Sequence, residues 1–189
     1  MDLIWIVERK DFRTLLLSIQ SAVKHTLNPV SSISVIVPDT QTVECQKYID
    51  DTKCQFEISI IPESKVIPLA KIEKIKQKFP EKYGWILQQF LKLESVLKSD
   101  SAGVLIIDAD TIILEDRLWL DQNLNKILMS APWRHDPYFS FLNKLGLYTG
   151  KPRYSFITHH MLMQPSILQE AIMNFMGIIY TLKCRKKLS

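Results

Sequence analysis

Compact apolar runs separated by amphipathic stretches alternate along most of this chain. Leu3 to Val7, Ile33 to Val37, Phe56 to Ile61 and Gly103 to Ile107 are short and rich in branched side chains, the pattern of buried strands. Behind the first, Phe12, Leu15, Leu16, Ile19 and Val23 recur at helical spacing. Asp11 stands where an N-cap would, and Asn28-Pro29 stops the helix. Asp39-Thr40 offers a cap for a short helix through about Asp50, and Pro62 closes the third strand. Residues 62–80, bracketed by Pro62, Pro68 and Pro80, read as a basic, weakly helical piece and a mobile surface connection.

The best-defined helix runs from Tyr83 to about Lys98, with Tyr83, Ile86, Leu87, Phe90, Leu91 and Leu97 as its buried face. Gln88, Lys92 and Ser95 share another face. It leads directly into the strand that ends at Asp108. Beyond the apolar run Thr111 to Leu114, the pattern predicts a strand over Lys126 to Ala131 and a polar-aromatic loop, Trp133 to Tyr138. A short helix over Tyr138 to Leu145 and a strand over Tyr154 to Met163 follow. Pro165 then opens a last helix, Ser166 to about Tyr180. Strands alternating with helices predict an α/β fold with a mainly parallel sheet of βαβ units, Rossmann-like and flanked by helices.

Composition changes this picture little. The 189 residues suit one domain, residues 1–182 with a basic tail at 183–189, and 47% hydrophobic content allows a real core. A net charge of +4 does not argue for nucleic acid as a partner. Cys45, Cys54 and Cys184 are scattered and form no CxxC pair, so neither a zinc cage nor a disulfide framework is supported. No signal peptide and no membrane-spanning run is evident, so the expected place is the cytoplasm, with peripheral contact at the inner membrane face through the basic end.

The chemistry concentrates at Asp108-Ala109-Asp110. A carboxylate at the end of an apolar strand is costly unless a cation meets it, and strand ends are where open α/β sheets bind ligands. Asp108 and Asp110 are candidates to hold Mg2+ or Mn2+, because hard cations prefer carboxylate oxygen. Lys92 could project to the same end of the sheet. His159 and His160 are adjacent on a predicted strand and so point to opposite faces. One could act as ligand, acceptor contact or general base, and the other would pack in the core.

The segment Leu105-Ile-Ile-Asp-Ala-Asp-Thr-Ile-Ile-Leu114 resembles the Asp-x-Asp segment of GT-A-fold glycosyltransferases. It is especially similar to the glycogenin-like and lipopolysaccharide-galactosyltransferase group. Gln88-Gln89-Phe90-Leu91-Lys92-Leu93 matches that group's basic helix before the strand. Phe156-Ile-Thr-His-His-Met-Leu-Met-Gln-Pro-Ser166 matches its later strand, with Thr158-His159-His160 where Asn-Ser-Gly is usual. Together with Gly84-Trp85, these motifs resemble more closely still a group of uncharacterised bacterial proteins taken to be glycosyltransferases. The resemblance implies a nucleoside-diphosphate-sugar donor and a saccharide or lipid-linked acceptor in surface polysaccharide synthesis. Val7, Glu8 and Asp11 would border base and ribose, Gln88, Lys92 and Ala109 would contact the donor, and Asp108 would face ribose and metal. Asp110 would ligate the metal, and His159 or His160 would serve catalysis. The group normally continues past the equivalent of Ser166, so the chain is expected to be C-terminally truncated, with an inactive donor-binding remnant as one alternative. Asp108-Ala-Asp-Thr111 also fits a haloacid-dehalogenase-type phosphohydrolase with Asp108 as nucleophile.

Overall fold

The structure is a computed structural model that describes residues 1–52, 54–130, 136–144, 146 and 158–175. Five strands form one sheet: β1 (Asp2–Ile6), β2 (Ser32–Val37), β3 (Ser59–Pro62), β4 (Val104–Ile107) and β5 (His160–Met163). Their order is β3-β2-β1-β4-β5. The first four run parallel, and β5 is antiparallel to β4, placing His160 opposite Ile107.

Successive residues of a strand face opposite ways, and here both faces are covered, so the strands are apolar throughout. Leu3, Trp5, Val35, Leu105 and Ile107 pack on one side with α1 (Phe12–His25) and α2 (Thr42–Asp51). Ile4, Ile36, Val104 and Ile106 pack on the other with α3 (Glu63–Val66), α4 (Leu69–Lys78) and α5 (Tyr83–Leu97). Burying one such side chain contributes about 1.5–3 kcal/mol. The largest polar group in the first layer is satisfied: Trp5 Nε1 donates to Ser18 Oγ at 2.9 Å. Gly103 admits β4 to the sheet, because a Cβ there would lie 3.1 Å from Leu120 and Leu162.

Several expectations are corrected. Residues 62–80 are not a loose connection. They form α3, α4 and a 3-10 turn at Pro80–Lys82, and they bury Val66, Ile67 and Ile72. Their prolines sit at the starts of these elements, where a missing amide costs nothing, rather than inside them. Asp11 holds the N-cap position of α1 as expected, but its side chain makes no capping hydrogen bond; its amide donates to Glu8 O at 2.8 Å and closes a 3-10 turn, Arg9–Asp11. The third strand begins at Ser59 rather than Phe56. On α5, Phe90 and Leu97 are exposed while Ser95 is buried, its hydroxyl bonded to Leu91 O at 2.6 Å. Residues 126–130 are not a strand, and an isolated bridge, Leu120↔Lys126, is what remains of that expectation. Asp136–Lys144 is helical, α6, so Asp136 to Tyr138 belong to it and not to a loop. Residues 165–175 are helical. Trp133 to His135, Tyr154 to Ile157, Met176 to Tyr180 and the basic tail lie outside the described residues.

No helix among the described residues is long and apolar enough to cross a membrane.

Candidate functional site

In this strand order the chain runs outward from β1 to β2 and β3, then returns to place β4 on the other side of β1. The carboxyl ends of β1 and β4 therefore flank the point where the winding reverses, the usual ligand crevice of an open α/β sheet. β1 delivers Val7 and Glu8 there, and β4 delivers Asp108, Ala109 and Asp110.

Asp108 leaves the sheet with its backbone still paired, its amide donating to His159 O at 2.9 Å. Its carbonyl accepts the Thr111 amide at 3.0 Å, so Asp108-Ala109-Asp110-Thr111 is a tight turn. Ala109 is buried and packs into the core, while Asp110 is exposed. Lys92 arrives from α5, one helical turn after Gln88, and its Nζ meets Asp108 Oδ1 at 2.9 Å. The lysine side chain is 19% exposed and the aspartate 30%, so the pair is half-shielded and stronger than a surface ion pair. On the other carboxylate oxygen, His159 Nδ1 stands 3.5 Å from Asp108 Oδ2.

The two histidines have different surroundings. The His159 side chain is 72% exposed over Asp108. His160 opens β5 and sets its ring edge-on to Trp119, with centroids 5.1 Å apart. Burial holds the His160 pKa below the ordinary histidine value, helped by the charges of Arg117 and His159 and opposed by Asp108. His160 is thus a neutral, packed ring, and His159 is the one free to meet a ligand.

Three clefts converge here. One of about 440 Å3 is lined by Trp85, Gln88, Lys92, Asp108, Tyr138 and His159. One of about 690 Å3 lies across the histidines, between Thr111 to Glu115, Arg117 and Leu128 to Ser130. The third, of about 460 Å3, contains Val7, Glu8, Asp11 and Gln88. Val7, Glu8, Asp11, Gln88, Lys92, Asp108, His159 and His160 therefore line adjoining clefts, whereas Ala109 is buried and Asp110, exposed beside Asp108, lines none of them. Sequence reasoning missed Glu63, Tyr83 and Trp85 as cleft residues, and it missed Asn28. The Asn28 side chain accepts the amides of Trp119 and Leu120 at 2.7 and 3.2 Å and so docks the segment after Asp110. An Asn before a Pro signals a turn, and nothing local names its distant partner.

Among the described residues no three His, Cys, Asp or Glu side chains form a metal cage. The donor set does fit a hard cation of the Mg2+ type, which is held by one or two carboxylates and completes its shell from substrate phosphates and water. Asp110 and Asp108 would be those carboxylates.

Residues 9–132 match a family of unknown function, DUF6492. No curated protein matches the chain. Among solved structures, the galactosyltransferase LgtC in complex with donor and acceptor sugar analogs is similar at 14% identity and a TM-score of 0.51, over 87% of this chain and 58% of that one. Mouse xyloside xylosyltransferase 1, apo form, is similar at 10% identity and a TM-score of 0.40, over 61% and 46%. The PaToxG glycosyltransferase is similar at 15% identity and a TM-score of 0.37, over 61% and 44%. The chain spans about half the length of these structures. The likeness to the galactosyltransferase concerns the fold, which is GT-A-like: a mixed, mainly parallel sheet flanked by helices.

Proposed function

The chain belongs to DUF6492, a family of unknown function, and we propose that it is a metal-dependent glycosyltransferase. Its donor would be a nucleoside-diphosphate-sugar, and its acceptor a saccharide or lipid-linked saccharide of surface polysaccharide synthesis. The observation that carries this reading is the Lys92–Asp108 pair at the switch point of the sheet, with Asp110 exposed beside it. A cation on a buried helix stem and two carboxylates at one crevice suit a diphosphate, whose charge must be met when it leaves.

Each side chain has a role in that chemistry. Lys92 binds a phosphate oxygen and stabilises the charge that develops on the departing diphosphate. Asp108 holds the ammonium in place before the donor arrives, so little reorganisation is needed. Asp110 and Asp108 would hold Mg2+ or Mn2+, which supplies further neutralisation of the diphosphate when bound. The cleft at Val7, Glu8 and Asp11 takes the nucleoside. The larger cleft across the histidines takes the acceptor. His159, open and close to Asp108, is placed to orient or deprotonate an acceptor hydroxyl.

Calorimetry with nucleoside diphosphates and Mn2+, followed by assay of nucleoside diphosphate release from donor sugars, tests the proposal. Binding with turnover supports it. Binding without turnover reduces it to a donor-binding protein. Absence of both overturns it, and a phosphoaspartate trapped at Asp108 would replace it with a phosphohydrolase.

A further inference from the structure

Along α5 the cleft holding Lys92 and Asp108 continues into the one of about 460 Å3, since Trp85 and Gln88 line both. The second cleft lies over the carboxyl ends of β1 and β2. Its walls include Val7, Tyr83 and Leu87, and Glu63 stands among them. A cleft with apolar walls and several polar groups, adjoining the cleft that holds Lys92, has the form of a nucleoside chamber.

The position of Glu63 is set by the sheet. It follows Pro62, which pairs with Val37 at the end of the β2–β3 ladder, and it begins α3. Among the described residues its carboxyl has no hydrogen bond and no ion pair. The charged groups around it are mostly acidic. Asp39, following β2, uses Oδ2 to accept the Ser64 amide at 3.0 Å. Glu8, following β1, lies 3.7 Å from Lys10 Nζ. Asp11 and Lys10 line the same cleft, as does Tyr83 from α5, so among the described residues Lys10 is the one cation in that lining.

Resting on the donor reading above, we propose that Glu63 selects the nucleobase, and that the base is guanine. The cleft holds donors at Lys10, Tyr83, Trp85 and Gln88 as well as the carboxylates of Glu8 and Asp11, and the Glu63 carboxyl, without a partner among the described residues, favours a ligand edge made of donors. Guanine presents two adjacent donors, N1–H and the N2 amino group, which one carboxylate can accept in a paired geometry. Uracil presents one N–H between two carbonyls, and those would face carboxylate oxygen. Adenine and cytosine each set an amino group beside a ring acceptor, which also suits a carboxylate less well.

The protonation of Glu63 gives the inference a second handle. Burial, then Asp39 and Glu8, push its pKa up to about 7. Guanine needs the ionised carboxylate, so its binding expels a proton and strengthens as pH rises from about 6 to 8. A base that needs a carboxylic O–H shows the opposite trend.

The test is calorimetry of the full chain with GDP, UDP, CDP and ADP, each with Mn2+, at pH 6 and pH 8. GDP is expected to bind at least about tenfold more tightly than the others, with the preference growing at pH 8. Glu63→Gln is expected to abolish the preference while leaving pyrophosphate affinity unchanged. If another nucleotide binds as tightly as GDP, and Lys92→Ala still weakens that binding at least about tenfold, the guanine inference is overturned and the donor site stands. If Glu63→Gln keeps the preference, the role of Glu63 is overturned. If no nucleoside diphosphate binds, both readings fall. The selectivity of the unaltered protein decides the base even if the variant does not fold.

Discussion

The Lys92 ammonium stands 2.9 Å from Asp108 Oδ1, joining the third turn of a helix to the end of the strand that follows it. The two side chains are half-shielded. Each is costly there without the other, so the pair holds the crevice ready for an anion.

Among the described residues, Lys92→Ala leaves the Asp108 side chain with only the longer approach of His159. A loss of about 1–3 kcal/mol in stability is expected, with at least a tenfold loss in nucleoside diphosphate affinity, about the worth of one charge-assisted hydrogen bond. Thermal melting and calorimetry on the same preparation check both. Undiminished nucleotide binding would remove Lys92 from the phosphate site.

Asp110 is exposed, so Asp110→Asn should move stability by no more than about 0.5 kcal/mol. It should nevertheless weaken the Mn2+-dependent part of donor binding. Asp108→Asn, by contrast, should affect both, because it also breaks the contact with Lys92. A titration of donor binding against Mn2+ separates the two variants. Equal metal dependence in Asp110→Asn and the unaltered protein would refute the ligand role.

The histidines should divide stability from turnover. His160→Ala loses the edge contact with Trp119 and is expected to cost about 0.5–1.5 kcal/mol. His159→Ala should leave the melting temperature in place and lower turnover. The reverse pattern would exchange their roles.

His160 also predicts an acid response. Its folded pKa lies below the ordinary value of 6.5. As pH falls through about 6.5 the unfolded chain takes up a proton first, so this part of the stability is lost in acid. Melting curves from pH 7.5 down to about 5 should show a shallower decline in His160→Ala.

Glu63 acts with the opposite sign. Its pKa is 4.5 ordinarily and about 7 in the fold. Between those values the folded state holds a proton that the unfolded chain has released, so stability falls as pH rises through that window. Glu63→Gln should be close to neutral at pH 5 and should raise the melting temperature by about 2–4 °C at pH 8. A melting curve with the same pH slope in both proteins would contradict a shifted Glu63.

Much of this was legible along the chain. The four parallel strands announce themselves as apolar runs, because strands covered on both faces need no alternation. The long helix before Asp108 shows its period. Asp108 and Asp110 stand out because charge at the end of such a run needs a reason. Less legible were residues 62–80, where three prolines and five lysines outweighed Val66, Ile67 and Ile72 in the pattern. Those three are core residues only because α5 and the sheet lie against them.

The sequence by itself determined the strands, the main helices and the residue types at their ends, since these follow from local periodicity and turn chemistry. Tertiary structure alone decided which ends meet. Strand order puts β4 beside β1 and so brings Asp108 to the mouth that Val7 and Glu8 share. The rotation of α5 aims Lys92 at Asp108, and antiparallel pairing of β5 with β4 fixes His160 opposite Ile107 while His159, just before the strand, stays open. Contacts between residues far apart in the chain depend on packing in three dimensions, for which local pattern carries no register.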